Sequence, residues 1–269
     1  SVRETELHLD VLSQSESVFA LSNGHIGMRG NLDEGEPHGL PGTYLNGVYE
    51  LRPLPYAEAG YGYPESGQTV INVTNGKLIR LLVEDEPFDV RYGEVRCHER
   101  ELDLRAGTLR REAEWVSPAG CAVRVCSTRL VSLTQRSVAA IYYQVETLGD
   151  PVRIVVQSEL VANESLPVLT GDPRVAAALG APLQSEQHGA EQVRAVLVHS
   201  TKASAIRIAA AMDHVIEAPP DAVVEAESTG DVARVSVTTT IGPSSPLRLV
   251  KFITYGWSMA RSVPALRDQ

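Results

Sequence analysis

Apolar and polar residues alternate with a period of two along most of the chain. In Glu6-Leu7-His8-Leu9-Asp10-Val11, Leu7, Leu9 and Val11 fall on one face, which predicts a half-buried strand. Residues 101–105 repeat the pattern, with Leu102 and Leu104 on one side and the charges on the other. Over residues 109–116, Arg110, Glu112 and Glu114 share a face opposite Ala113 and Trp115. The turn Ser117-Pro118-Ala119-Gly120 then leads into residues 121–126, so the two runs predict a hairpin. Further strands are predicted over residues 70–73, 77–83, 138–146, 152–161, 193–200, 205–212, 233–240 and 247–255, with a surface loop or hairpin over 214–232. Many short strands separated by turns imply an all-β fold, a large antiparallel sandwich. No ten-residue helical patterns separate the strands, which argues against a parallel sheet.

Helical signals are few. Asp172, Pro173 and the closing Gly180 frame one short candidate over residues 172–180. Ser262 and Pro264 open a second over residues 262–269. The expected organisation is a sandwich domain over residues 1–261, followed by the truncated start of a linker helix over 262–269.

Composition narrows the function classes. The 269 residues are 43% hydrophobic, enough to bury a core without disulfide staples. Thirty-four acidic residues against 24 basic give a net charge of −10, which argues against nucleic acid and anionic membrane surfaces. No apolar run approaches the length of a membrane span, and there is no signal-peptide core. Three cysteines form no even framework, which together with the missing signal implies a cytoplasmic protein. The sequons at Asn72 and Asn163 are accordingly read as chance.

The least ordinary stretch runs from residue 16 to residue 50. Gly24, Gly27, Gly30, Gly35, Gly39, Gly42 and Gly47 alternate there with Asn23, Arg29, Asn31, Tyr44 and Asn46. This spacing is neither a dinucleotide fingerprint nor a P-loop, and it reads as a turn-rich crossing between sheets. Glu34/Glu36 and Glu84/Asp85/Glu86 are expected to be solvated turn acids, the latter at a hairpin tip. Cys121 and Cys126 fall on opposite faces of one strand and cannot share a metal; none is expected. His8 is expected on a polar strand face, and His199 and His214 lack a carboxylate close in sequence. Tyr44, Tyr49, Tyr56, Tyr61 and Tyr63 fall within twenty residues. Such a loop suits stacking on sugar C–H faces or a protein contact equally.

The run Glu16-Ser17-Val18-Phe19-Ala20-Leu21-Ser22-Asn23-Gly24-His25-Ile26-Gly27-Met28-Arg29-Gly30, with Glu34-Gly35 and residues 42–50, resembles the opening of glycoside hydrolase family 65. Residues 100–111, 115–120, 129–133, 251–255 and 265–269 extend the resemblance, while 163–245 match diffusely. The resemblance implies an N-terminal super-β-sandwich, galactose mutarotase-like, followed by a helical linker and an (α/α)6 barrel that carries the general acid. It also implies a parent enzyme that inverts an α-glucosidic bond, acting on an α-linked disaccharide with phosphate or water as nucleophile. No cofactor is expected, inorganic phosphate being a co-substrate of a phosphorylase. The fragment itself is expected to be non-catalytic, to pack on the barrel, to help wall its pocket and to take part in a homodimer contact. Asn23, Arg29, Tyr44, Asn46 and Glu50 are the residues expected to face the barrel; the alternative is that they brace their own loop. Two competing readings are a self-sufficient aldose 1-epimerase, with His98 and Glu217 as acid and base, and an independent carbohydrate-binding module.

Overall fold

The computed structural model describes residues 1–53, 61–165 and 180–268. Its strands in chain order are β1 (Val2–Glu4), β2 (Leu21–Ser22), β3 (Ile26–Met28), β4 (Thr43–Leu45), β5 (Tyr49–Pro53), β6 (Ser66–Val70), β7 (Ile79–Val83), β8 (Glu86–Pro87) and β9 (Glu94–Asp103). They continue as β10 (Thr108–Val116), β11 (Ala122–Val131), β12 (Val138–Thr147), β13 (Val152–Val161), β14 (Leu183–Glu191), β15 (Arg194–Thr201), β16 (Arg207–Glu217), β17 (Val223–Ser228), β18 (Val232–Ile241) and β19 (Leu247–Ser258). A nine-stranded sheet, ordered β1-β9-β10-β11-β12-β19-β16-β15-β14, packs on a five-stranded sheet, ordered β17-β18-β13-β7-β8. Pairing within both is antiparallel. The expected all-β sandwich is therefore present. Residues from both sheets share one continuous apolar core.

The alternation read from sequence sets the faces. Along β11 and β12 every second residue is buried, so Val123, Val125, Ile141 and Val145 point into the sandwich. β10 and β11 form the expected hairpin across Ser117-Pro118-Ala119-Gly120. Trp115 is fully buried on the inner face, where its ring lies 4.9 Å from that of Phe88 and its indole nitrogen donates to the Tyr92 carbonyl at 2.7 Å. The predicted strand limits at 152–161 coincide with those of β13, and the 214–232 hairpin is built on β17.

Several local expectations fail for identifiable reasons. Residues 6–11 form no strand: Leu9–Val11 is a 3-10 turn leading into helix α1 (Leu12–Val18), with Leu9 and Val11 exposed. His8 accordingly has no strand face. Burial of Leu12, Glu16 and Phe19 follows helical spacing, but the acid at the middle position hides the period. Leu104 is 71% exposed because β9 ends at Asp103, whose carboxylate accepts from the backbone N–H groups of Arg105 and Ala106 in a turn. Only Val70 of the 70–73 run is in a strand, and it is exposed. The helix expected over 172–180 falls almost wholly outside the described residues, as does Tyr56. The other expected helix is present as α2 (Val263–Arg267). Its Leu266 covers Val198 and Ala209 on the outer face of the large sheet.

At one edge of that sheet lies the three-residue β1; at the other, β14 carries an irregularity between Ser185 and Gln187.

Candidate functional site

Part of the inner face of the large sheet is charged. Arg100, Arg111, Ser127 and Tyr143 lie directly opposite one another on β9, β10, β11 and β12, and all are buried. Two guanidiniums side by side repel and must be matched by acids. The match comes from residues 32–35, laid over this row. Arg111 Nη1 donates to both oxygens of Glu34 at 2.9 and 2.8 Å. Asp33 accepts from Arg129 Nη2 at 2.7 Å and from Ser127 Oγ at 2.6 Å. Tyr143 donates to Glu34 at 3.1 Å, and Glu4 holds Arg100 at 2.6 Å. Glu34 is thus no solvated turn acid but a buried counter-ion. Glu36 does lie nearer the surface, paired with Arg91 at 2.8 Å.

Burial alone would raise the pKa of both acids. At Asp33 the Arg129 and Arg111 charges outweigh burial and hold the carboxyl below its ordinary range. At Glu34 burial, reinforced by the neighbouring Asp33 charge, wins over Arg111 and the pKa is raised. His98 lies beside this cluster and accepts from Arg111 Nε at 3.3 Å; burial, with Arg111 and Arg100 nearby, pushes its pKa down to about 3. Two lysines sit deeper. Lys77 Nζ donates to Thr43 Oγ1 at 2.6 Å, and Lys251 Nζ to the Glu159 and Leu78 carbonyls at 2.8 and 3.1 Å. Burial lowers both lysine pKa values to about 7.

This network anchors the glycine-rich segment, which is more ordered than a crossing: β2, β3 and β4 make a three-stranded sheet within it. Gly24 takes a φ of +80°, and Asn23 Oδ1 closes the turn by accepting from His25 and Ile26 N–H at 2.9 and 2.8 Å. The five candidate residues divide between two roles. Asn23 Nδ2 donates to the Ser132 and Arg136 carbonyls at 2.6 and 3.0 Å. Arg29 Nε lies 3.6 Å from the buried Glu16, and its terminal nitrogen donates to the Ser13 carbonyl. Glu50 is buried and accepts from the N–H groups of Leu51, Ala203 and Ser204. All three brace their own loop. Tyr44 and Asn46 are exposed on one stretch of the same segment. Neither carboxylate of the turn at 84–86 approaches this region; Glu84 has a φ of 55° at the expected hairpin tip.

The remaining candidates are dispersed. His98 lies on the inner face of β9, whereas Glu217 is exposed at the end of β16 and pairs with Arg248, so no acid–base pair forms. His199 does find a carboxylate, Asp231 at 3.0 Å, from 32 residues away. His214 is held between the Val193 carbonyl at 2.6 Å and Ser158 Oγ at 2.8 Å. Cys97, Cys121 and Cys126 are free thiols. Among the described residues no group of three or more His, Cys, Asp or Glu side chains is placed to hold a metal. No helix among them is long and apolar enough to cross a membrane.

Fold and site together define a large antiparallel sandwich whose glycine-rich segment is clamped from inside by ion pairs and presents a small polar face outside. The family profile of the glycosyl hydrolase family 65 N-terminal domain matches residues 2–269, and the chain belongs to that family. It is 62% identical over its whole length to an uncharacterised glycosyl hydrolase of Mycobacterium tuberculosis, of which it covers 34%. An alpha,alpha-trehalose phosphorylase of Thermoanaerobacter brockii is 33% identical over 94% of this chain and 34% of its own length. A solved human-microbiome protein, provisionally assigned as a kojibiose phosphorylase, superposes with a TM-score of 0.85 at 21% identity, over 99% of this chain and 34% of that one. The chain thus spans about a third of the length of these relatives.

Proposed function

We propose that this chain is the non-catalytic β-sandwich domain of an inverting enzyme that cleaves an α-linked disaccharide with phosphate or water as acceptor. The family match over residues 2–269, joined to its 34% share of each relative, is the observation that carries the reading. The reaction then belongs to a helical barrel of the same polypeptide. Packing on that barrel, helping to wall its pocket and contributing to a homodimer are the roles left to the sandwich. Tyr44 and Asn46 are its contact residues; Asn23, Arg29 and Glu50 hold them in position. Clamping suits this task, because a loop that must meet another domain in one geometry gains from supporting contacts behind it. The free thiols favour a reducing compartment, the cytoplasm.

The test is an activity assay on the 269-residue chain and on a polypeptide of its relatives' length, using trehalose, maltose and kojibiose with and without inorganic phosphate. The reading expects turnover by the long polypeptide alone. Disaccharide cleavage by the 269-residue chain would overturn it, and faster anomer interconversion of α-glucose by that chain would restore the epimerase alternative.

A further inference from the structure

A cleft of about 280 Å³ lies beside α1, away from Tyr44 and Asn46. Leu32, Leu78 and Val161 give it apolar walls, and Glu16, Asn31 and Glu164 give it polar groups. Glu16 is 1% exposed, yet its Oε2 accepts no hydrogen bond, the nearest guanidinium nitrogen being Arg29 Nε at 3.6 Å. Asn31 Oδ1 is likewise buried and unpaired, while its amide nitrogen donates to the Leu40 carbonyl at 3.1 Å. A buried acceptor without a donor costs on the order of 1–3 kcal/mol, so two at one cleft call for a ligand that brings hydrogens. The cleft stays open to Glu16 because residue 39 is glycine: a Cβ there would lie 2.7 Å from Glu16 Oε2.

Charge selects the donor. The nearby Arg29 and Lys77 disfavour a cation, and Glu16 and Glu164 disfavour an anion. Glu164 Oε1 already accepts from Asn75 Nδ2 at 2.9 Å, which fixes its carboxylate at the cleft. Hydroxyl groups satisfy such acceptors without adding charge, and the C–H faces of a ring or chain fit the leucine and valine walls. At roughly 30 Å³ per water, the space corresponds to about nine waters or one small ring compound.

We propose that this cleft binds a neutral polyhydroxylated molecule of monosaccharide size through Glu16, Asn31 and Glu164. The inference does not depend on the function proposed above, since it needs neither a barrel nor a disaccharide. Calorimetric titration of the intact protein with D-glucose and with myo-inositol tests it, alongside crystals soaked in the same compounds. Saturable binding of at least one probe is expected, with density at Glu16 and Asn31. Gly39→Ala and Glu164→Gln should each weaken it by about tenfold or more, with far-UV circular dichroism unchanged. Glu164 lies at the protein's half-buried rim, so Glu164→Gln carries the test should Gly39→Ala fail to fold. The proposal is overturned by no saturable binding of either probe, by equal affinity in Glu164→Gln, or by soaked crystals holding only water between Glu16 and Asn31.

Discussion

Arg111 and Glu34 stand 77 residues apart in sequence and meet inside the sandwich, where one guanidinium nitrogen lies 2.9 and 2.8 Å from the two carboxylate oxygens. The pair joins β10 to the segment that carries Tyr44 and Asn46. Removing either partner strands a buried charge, which costs about 3–5 kcal/mol. Glu34→Gln and Arg111→Met should each lower stability on that scale in urea unfolding, whereas the double variant should recover part of the loss. A loss below about 1 kcal/mol in both single variants would show that the network does not hold the segment.

Acid should weaken the fold through two histidines. Burial lowers His98 to about 3 and His214 to about 4 from the ordinary 6.5. The unfolded chain therefore binds more protons than the folded one below pH 6.5. Stability from these groups is complete above 6.5 and is lost as pH falls towards 4 and then 3. Unfolding midpoints measured between pH 7 and pH 4 should fall, and His214→Gln should flatten that slope. An unchanged slope in the variant would assign the acid sensitivity to other groups.

Bracing residues and contact residues should separate in one experiment. Glu50→Ala leaves the Ala203 and Ser204 N–H groups without their carboxylate and should cost about 1–3 kcal/mol. Tyr44→Ser, on the exposed face, should shift stability by no more than about 0.5 kcal/mol. In a polypeptide of the relatives' length, Tyr44→Ser should nonetheless lower disaccharide turnover. Unaltered turnover would remove Tyr44 from the contact surface.

Close packing should make Gly30 intolerant of any side chain. A Cβ there would meet the Phe19 carbonyl oxygen at 2.7 Å, and Phe19 itself lies under Arg100 with the cation 4.7 Å from the ring centroid. Overpacking of this kind costs about 1–3 kcal/mol. Gly30→Ala should therefore lower the melting temperature, whereas Gly107→Ala, with open space around it, should lose only what its φ of +68° demands.

The sheet core was readable because alternation acts within one strand: β11, β12, β13 and β18 announce their buried faces residue by residue. The internal charge network was not. Arg111 shares its strand face with Ala113 and Trp115, and nothing local says that its counter-ion arrives from residue 34. For the same reason Asn23 reads as a surface residue, although its partner Ser132 lies 109 residues on. Helix α1 escaped because Glu16 occupies the position where a helical pattern expects an apolar side chain. The glycine-rich stretch did stand out as unusual, and Gly24 and Gly30 show the reasons: a left-handed turn and a backbone contact.

The two ends of the large sheet bear on how the protein behaves at high concentration. A long, regular border strand invites another copy to add on through its free N–H and C=O groups. Here one border is only three residues long, and the other is broken between Ser185 and Gln187, with Glu186 tied to Arg207 at 2.8 Å. Neither border offers a continuous template, so stacking of copies into fibres through this sheet is blocked by the strands themselves.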